Sequence, residues 1–380
     1  MGYGKPEINI SFEKDYFHPG EELIGNVTMT TDKDVSARNI TITFTGKSVT
    51  AWTDSSKDRD VRLHLGEKAK EIHVKVCREV WKAENEKNLL PAGTYNWNFA
   101  FEIPHGCPAS FEGYYGFIRY FIKVNVDEPN WPDQCVRKAI TVSPIIDLNL
   151  INGAGAPVNV QLENPVRFCC GYFFSFGRFK KGNVSFTLSC PTLGYVSGQT
   201  VTVNGLVDNG STRIIESIQG SLHRMIIYRE DLEKNSLGLF RPVKNQPDDM
   251  MNSQRQVFTL AMKEEICRLP PGSCQDVSFT FEIPPVVATI RNSKFISVEY
   301  FVRIVANVEG YSCSEATADM NIIVGNVPLG LEPSASPTLR CGDAAVRWRD
   351  DLAEDFALLF PYFGSQVEKL EKSSQSDVEV

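Results

Sequence analysis

The chain contains the same series of short motifs twice, in one order and at nearly constant spacing. Residues 99–104 read F-A-F-E-I-P and residues 279–284 read F-T-F-E-I-P, an offset of 180 residues. This spacing is far too long for a solenoid repeat. The sequence therefore predicts two copies of one domain. Three further pairs follow the same order, namely 17–21 (F-H-P-G-E) with 195–199 (Y-V-S-G-Q), 90–94 (L-P-A-G-T) with 269–273 (L-P-P-G-S), and 120–124 (Y-F-I-K-V) with 300–304 (Y-F-V-R-I).

Most of each copy has the pattern of β-strands. In the segment 39–44, N-I-T-I-T-F, polar and apolar residues alternate, which is typical of strands with one buried face. In the repeated motif, Phe99, Phe101 and Ile103 should share a face, and Pro104 should end the strand because it has no N–H to donate. Short strands separated by glycine and proline predict an all-β fold of two tandem immunoglobulin-like β-sandwich domains.

Changes in composition place the domain boundaries. We assign the first sandwich to residues 1–151, a hinge linker to 152–164, the second sandwich to 165–327 and an acidic tail to 328–380. The linker begins N-G-A-G-A-P, which predicts a short flexible hinge.

The tail carries the one convincing helical pattern, over about 343–360. Trp348, Leu352, Phe356 and Leu359 fall on one helical stripe, and Pro361 ends the pattern. An isolated helix of this length is marginal in water, so this tail stripe should dock on something. Its own sandwiches, a second copy, a partner and a membrane surface remain alternatives. Glu354 to Leu359 also loosely resembles an acidic-dileucine sorting peptide, an interpretation that holds only if the segment is accessible.

Charge and hydropathy narrow the class of protein. The formal net charge of the chain is −8, and the tail, with ten acidic and five basic residues, carries −5 of it. Bulk charge gives no reason to expect nucleic-acid binding. The N-terminus lacks the apolar run of a signal peptide, and no apolar stretch reaches the roughly 20 residues of a membrane helix. We therefore expect a cytoplasmic protein with mostly reduced cysteines.

No motif predicts catalysis, a cofactor or a metal. Gly153 and Gly155 lack the third glycine and the following helix of a dinucleotide fingerprint. The five histidines are scattered, and cysteine pairs at zinc spacing are absent. No G-x-S-x-G, P-loop or kinase motif occurs. We expect a protein that is not an enzyme.

One basic run could mediate binding. Arg178, Lys180 and Lys181 lie between predicted strands at the start of the second copy. A solvated turn is the simpler interpretation. The functional alternative is a contact with acidic lipid head groups or a phosphorylated tail.

At this point the motifs resemble a known family, the α-arrestins or arrestin-domain-containing proteins. The match covers roughly residues 5–325, with its motifs in family order in both halves. It is carried by 8–12 (I-N-I-S-F), 16–20 (Y-F-H-P-G), 90–93 (L-P-A-G), 99–104 and 120–124 in the first half, and by 182–185 (G-N-V-S), 194–198 (G-Y-V-S-G), 209–211 (N-G-S), 279–284 and 300–304 in the second.

The resemblance implies arrestin-like N- and C-terminal sandwiches and a non-enzymatic adaptor. Such adaptors bind a membrane receptor or transporter and couple it to endocytic, sorting or ubiquitin-ligase machinery, with peripheral contact at the plasma membrane or endosomes. Many members recruit ligases through tail P-P-x-Y motifs. This chain has none, since 360–363 reads F-P-Y-F, so the resemblance does not extend to direct WW-domain binding. The alternative function is a cytosolic scaffold that self-associates through the tail stripe.

Overall fold

The computed structural model describes nine segments of the chain. They are residues 6–52, 67–84, 88–129, 132–167, 180–231, 253–310, 315–330, 338–341 and 358–362.

The first half folds into eleven strands, whose alternation of buried and exposed residues follows the polar–apolar pattern of the sequence. They are β1 (Glu7–Phe12), β2 (Tyr16–Phe17), β3 (Glu22–Thr31), β4 (Val35–Ser36), β5 (Asn39–Ala51), β6 (Glu67–Lys82), β7 (Leu89–Leu90), β8 (Gly93–Glu102), β9 (Phe111–Glu112), β10 (Gly116–Asp127) and β11 (Gln134–Val142). A 3₁₀ turn at Leu148–Leu150 follows.

The second half and the tail contribute eleven more described strands. They are β12 (Val158–Arg167), β13 (Lys180–Cys190), β14 (Gly194–Val196), β15 (Thr200–Ser211), β16 (Ile215–Arg229), β17 (Ser253–Leu269), β18 (Cys274–Glu282), β19 (Ile296–Val308), β20 (Ala316–Gly325), β21 (Thr338–Cys341) and β22 (Leu359–Tyr362). Within the described residues no helix has the length and apolar character needed to cross a bilayer.

The two halves have the same sheet topology. In the first, a sheet of order β1-β3-β8 faces one of order β2-β11-β10-β5-β6. In the second, β13-β15-β18 and β14-β20-β19-β16-β17 repeat these orders strand for strand, and β12 adds an extra edge beside β13. The short parallel pairs β2–β11 and β14–β20 also correspond. The predicted two-sandwich, all-β fold is therefore confirmed.

The core of each sandwich lies between its two sheets. Phe99, Phe101 and Ile103 are buried as predicted, and their counterparts Phe279, Phe281 and Ile283 are buried as well. The buried residues of the two sandwiches form one connected cluster, because the domains pack against each other. Side chains from the two inner faces interdigitate and exclude water from the core, which is roughly 10 Å thick between the sheets.

The repeated glycine motif makes the same turn in both halves. Gly20 and Gly198 adopt positive φ angles of 90° and 89°, a region that favours glycine. The Gly20 N–H donates to the Ile103 carbonyl at 2.6 Å, and the Gly198 N–H donates to the Ile283 carbonyl at 2.7 Å. Each turn thereby fastens the start of one strand to the end of the F-x-F-E-I-P strand.

Polar and aromatic contacts join the two sandwiches. Tyr115 and Tyr228 pack edge to face with ring centroids 5.7 Å apart. The Thr50 hydroxyl donates to the Arg229 carbonyl at 2.9 Å. On the connector side, the Ile146 N–H donates to the side-chain oxygen of Asn326 at 2.5 Å.

The connector is shorter than predicted and is held in place. β12 begins at Val158 and pairs with β13, so most of the segment assigned to a linker is strand. Ala154 is fully buried, and its carbonyl accepts the N–H groups of Leu193 and Gly194 at 3.0 and 2.8 Å. The small alanine packs into a cluster with Leu148, which gives the Gly–Ala segment one conformation instead of a free hinge.

The tail returns to the second sandwich as a strand. β22 pairs antiparallel with β21, so the prediction that the helix extends to residue 360 is wrong. The pairing between these two separate segments of the chain supplies backbone hydrogen bonds. A pattern of helical periodicity within one segment cannot predict such pairing. Leu358 packs against the core, and the Tyr362 hydroxyl donates to Glu282 Oε1 at 2.5 Å.

Candidate interaction surfaces

A group of cations covers the outer face of the larger sheet in the first sandwich. Lys47, Lys70, Lys75, Lys123 and Arg137 surround a shallow depression of about 650 Å³, and we call these five residues the basic face. None of the described residues that line this depression is an aspartate or a glutamate.

The strand pattern explains why these cations share a face. Along β10, Tyr120, Ile122 and Val124 point into the core, so Lys123 between them must point outward. β5 supplies the floor of the depression through Thr43 and its outward-facing neighbours, whose short side chains leave room between the longer cations on either side. Hydroxyl donors on the floor and ammonium or guanidinium groups at the rim form a surface suited to an anionic ligand.

Aromatic rings support part of the basic face. The Lys47 ammonium lies 5.5 Å from the centroid of Phe117 and 5.7 Å from that of Phe121. The Arg137 guanidinium lies 5.9 Å from the Phe121 centroid. Cation–π contacts of this kind contribute about 0.5–1 kcal/mol at exposed sites. They hold the two cations over the outer surface of the sheet.

Strand register places two of the cations directly opposite each other. Lys123 on β10 faces Arg137 on β11, and like charges at opposed positions destabilise a sheet. At the matching position of the second sandwich, opposite charges face each other. There Arg303 faces Asp319, and the two make paired hydrogen bonds of 2.7 Å each. At this position the first sandwich therefore pairs two cations, whereas the second pairs a cation with a carboxylate.

The site residues that the sequence suggested are only partly described. Lys180 and Lys181 form the start of β13, but their side chains and all of Arg178 lie outside the described structure. In the tail stripe, Trp348, Leu352 and Phe356 also lie outside it, and only the backbone of Leu359 is described. The basic run and the tail stripe thus stay predictions.

The basic face was missed because its members are distant in sequence. Alternation showed that Lys123 faces away from the core, but only the β10–β11 register brings Arg137 opposite to it. One signal was available, because the position that corresponds to Asp319 holds the cation Arg137. Recognising that correspondence requires the strand registers of both sandwiches.

A serine and a histidine meet at the domain interface without forming a catalytic arrangement. Ser48 Oγ lies 2.5 Å from His73 Nε2, and Glu71 Oε2 lies 4.0 Å from the same nitrogen. A catalytic triad needs its acid at the other ring nitrogen. Burial lowers the pKa of His73, and the nearby Glu71 carboxylate opposes that shift. Glu71 Oε2 instead accepts the Lys294 N–H at 3.2 Å, which links the two sandwiches.

Two tandem eight-strand frames with identical order and a charged outer face define a protein of the arrestin type, and sequence comparison agrees. Residues 6–149 match the family model "Arrestin (or S-antigen), N-terminal domain", and residues 180–329 match "Arrestin (or S-antigen), C-terminal domain". The chain therefore belongs to the arrestin family. This family is one of adaptors, and neither matching model describes a catalytic domain.

Individual relatives are distant but cover most of the chain. Arrestin domain-containing protein 17 of Caenorhabditis elegans is 25% identical over 83% of this chain and 68% of its own length. Arrestin domain-containing protein 4 of Homo sapiens is 21% identical over 83% and 69%. Thioredoxin-interacting protein of Rattus norvegicus is 24% identical over 55% of this chain and 50% of its own length.

Proposed function

We propose that this protein is an adaptor that binds an acidic cytosolic segment of a membrane receptor or transporter on the basic face. Its tail then couples the cargo to endocytic, sorting or ubiquitination machinery while the sandwiches contact the membrane peripherally. The observation that carries the proposal is the group of five cations around a depression whose described lining contains no aspartate or glutamate.

An acidic peptide segment fits this surface better than a small anion does. The cations come from β5, β6, β10 and β11, so they are spread across the sheet and not gathered around one point. Several carboxylates along an extended chain can each approach a different cation. Contacts at such exposed positions are individually weak, so the affinity should depend on their number and fall as salt screens them.

The proposal is tested by fluorescence anisotropy with a labelled twelve-residue peptide of alternating Glu and Ser. A matched Gln and Ser peptide reports contacts that do not depend on charge. We expect the wild-type chain to bind the acidic peptide and to lose affinity as salt rises. The double variant Lys123→Glu/Arg137→Glu should lose at least roughly tenfold in affinity, since each lost charge contact is worth about 0.2–1 kcal/mol and repulsion adds to it.

Lys33→Glu is the charge-matched control, because Lys33 is exposed on the first sandwich but does not line the depression. It should bind the acidic peptide nearly as the wild type does. Equal binding of the Glu and Gln peptides, or equal losses in the control and the double variant, would refute the proposed role of the basic face.

A further inference from the structure

The second sandwich ends in a long edge strand. β17 runs from Ser253 to Leu269, and within the described residues it pairs with β16 alone. Its other edge therefore presents a row of backbone N–H and C=O groups to any chain that can lie alongside. Natural proteins usually shorten, cover or charge such an edge, because it is a template for strand addition.

The apolar side chains of β17 are unusually exposed. Val257, Met262 and Ile266 are 50%, 60% and 84% exposed, and with Phe258 they are four of the thirteen large hydrophobic residues exposed within the described structure. Single exposed apolar residues are ordinary, but a series of them along one free edge is typical of an interaction surface.

The outward-facing side chains of β17 are complementary to their own reversed order. Arg255 and Val257 come before Leu260, the residue at a bulge near the middle of the strand, and Met262 and Glu264 come after it. All four lie on the outer face, opposite outward residues of β16. Two copies of β17 that run antiparallel about a point between Thr259 and Leu260 bring Arg255 of each beside Glu264 of the other, and Val257 beside Met262.

We propose that β17 is the interface through which two copies of this chain associate, edge to edge, by a two-fold axis between Thr259 and Leu260. Such a contact is isologous and closes on itself. Among the described residues, none forms an ion pair or a side-chain hydrogen bond with Arg255, so the second copy's Glu264 would be its partner. The proposed edge belongs to the opposite sandwich from the basic face and does not depend on the proposed adaptor function.

The charges also select this arrangement over others. A parallel, in-register pair would place Arg255 beside Arg255 and Glu264 beside Glu264, and like charges at opposed positions destabilise a sheet. The adjacent carboxylates of Glu264 and Glu265 would repel an unrelated strand that carries negative charge, so they disfavour its pairing with β17. The self-complementary order is therefore what identifies a second copy as the occupant, more than the apolar content does.

The first experiment measures mass by sedimentation and multi-angle light scattering on the full chain. At roughly 100 µM the wild type should show twice the 42.5 kDa chain mass, with dissociation on dilution into the low micromolar range expected of a modest interface. Met262→Lys should reduce the mass to that of one chain. Val76→Lys, which adds the same charge to the equivalent edge strand β6, should leave the mass unchanged. A wild type that stays at 42.5 kDa at the highest concentration overturns the proposal.

The second experiment exchanges the charges. Arg255→Glu and Glu264→Arg should each yield single chains when alone, because each homodimer would oppose like charges. An equimolar mixture of the two variants should recover the doubled mass, since every cross-copy pair is then opposite in sign. Circular dichroism and thermal unfolding identify any variant that fails to fold. If both variants fold and their mixture does not associate, the antiparallel β17 contact is wrong. Acidic-peptide binding by the same variants should be unchanged, which separates this result from the test of the basic face.

Discussion

The outer faces of the two larger sheets have one architecture but differ in the charges that they oppose at one matched position. In the first sandwich Lys123 faces Arg137, and in the second Arg303 faces Asp319 at the same point of the fold. The shared frame shows that folding does not require either arrangement. Like charges at opposed positions of a sheet repel each other, and an anionic ligand bound on the basic face would reduce that repulsion.

Large-to-small changes in the core test whether the two frames are equivalent. Phe101→Ala and Phe281→Ala each remove a buried ring from the same motif, so each should lower the free energy of unfolding by about 3–5 kcal/mol. Urea denaturation followed by far-ultraviolet circular dichroism measures both. A loss below about 1 kcal/mol for either variant would show that this position is not equivalent in the two halves.

Hydroxyl deletions test the same equivalence at finer scale. The Tyr120 hydroxyl donates to the Pro108 carbonyl at 2.8 Å, and the Tyr300 hydroxyl donates to the Val287 carbonyl at 2.6 Å. Tyr120→Phe and Tyr300→Phe should each reduce stability by about 1–2 kcal/mol, because a buried carbonyl loses its donor. Differential scanning calorimetry gives the two values. If the two losses of stability differ by more than about 1 kcal/mol, the two hydrogen bonds do not contribute equally to the stability of their sandwiches.

Exchange of the acidic partner tests the electrostatic difference itself. Asp319→Arg should place two cations in opposition in the second sandwich and lower its stability by about 1 kcal/mol, whereas Arg137→Asp should raise that of the first by roughly 0.2–1 kcal/mol. Chemical denaturation at low and high salt measures both changes. Arg137→Asp should also weaken binding of the acidic peptide. Destabilisation by Arg137→Asp would refute the view that the opposed cations are retained for binding.

Acid should destabilise both halves slightly through one buried histidine each. Burial is the main cause that lowers the pKa of His73 and of His223 below the unfolded value of about 6.5. The unfolded chain then binds protons more readily than the folded chain does. The stability contributed by each neutral histidine is therefore complete above about pH 6.5 and is lost as the pH falls below it. Thermal unfolding at pH 7.5 and 5.5 should show a smaller loss for His73→Gln/His223→Gln than for the wild type. An equal loss would show that other groups control the acid response.

The sequence predicted the repeated motifs, the inward and outward faces of their strands and the two-sandwich fold. The Phe99 strand and its copy illustrate why, since alternation and a terminal proline are local signals. The end of the tail helix was predicted wrongly from the sequence. Leu359 lies in a strand whose partner, β21, begins 21 residues earlier at Thr338. The sequence also predicted a free hinge where Ala154 is buried, since the residues that enclose that alanine come from both sandwiches.

The duplicated frame can be recognised without a structure, because period-two alternation and glycine or proline at turns act through neighbouring residues. Which charges oppose each other depends instead on the folded sheet. The opposition of Lys123 to Arg137, and of Arg303 to Asp319, depends on hairpin register, and register is fixed by how whole strands bury their apolar faces. A shift of one residue would have turned those side chains toward the core, so the electrostatic character of each face is a property of the folded sheet.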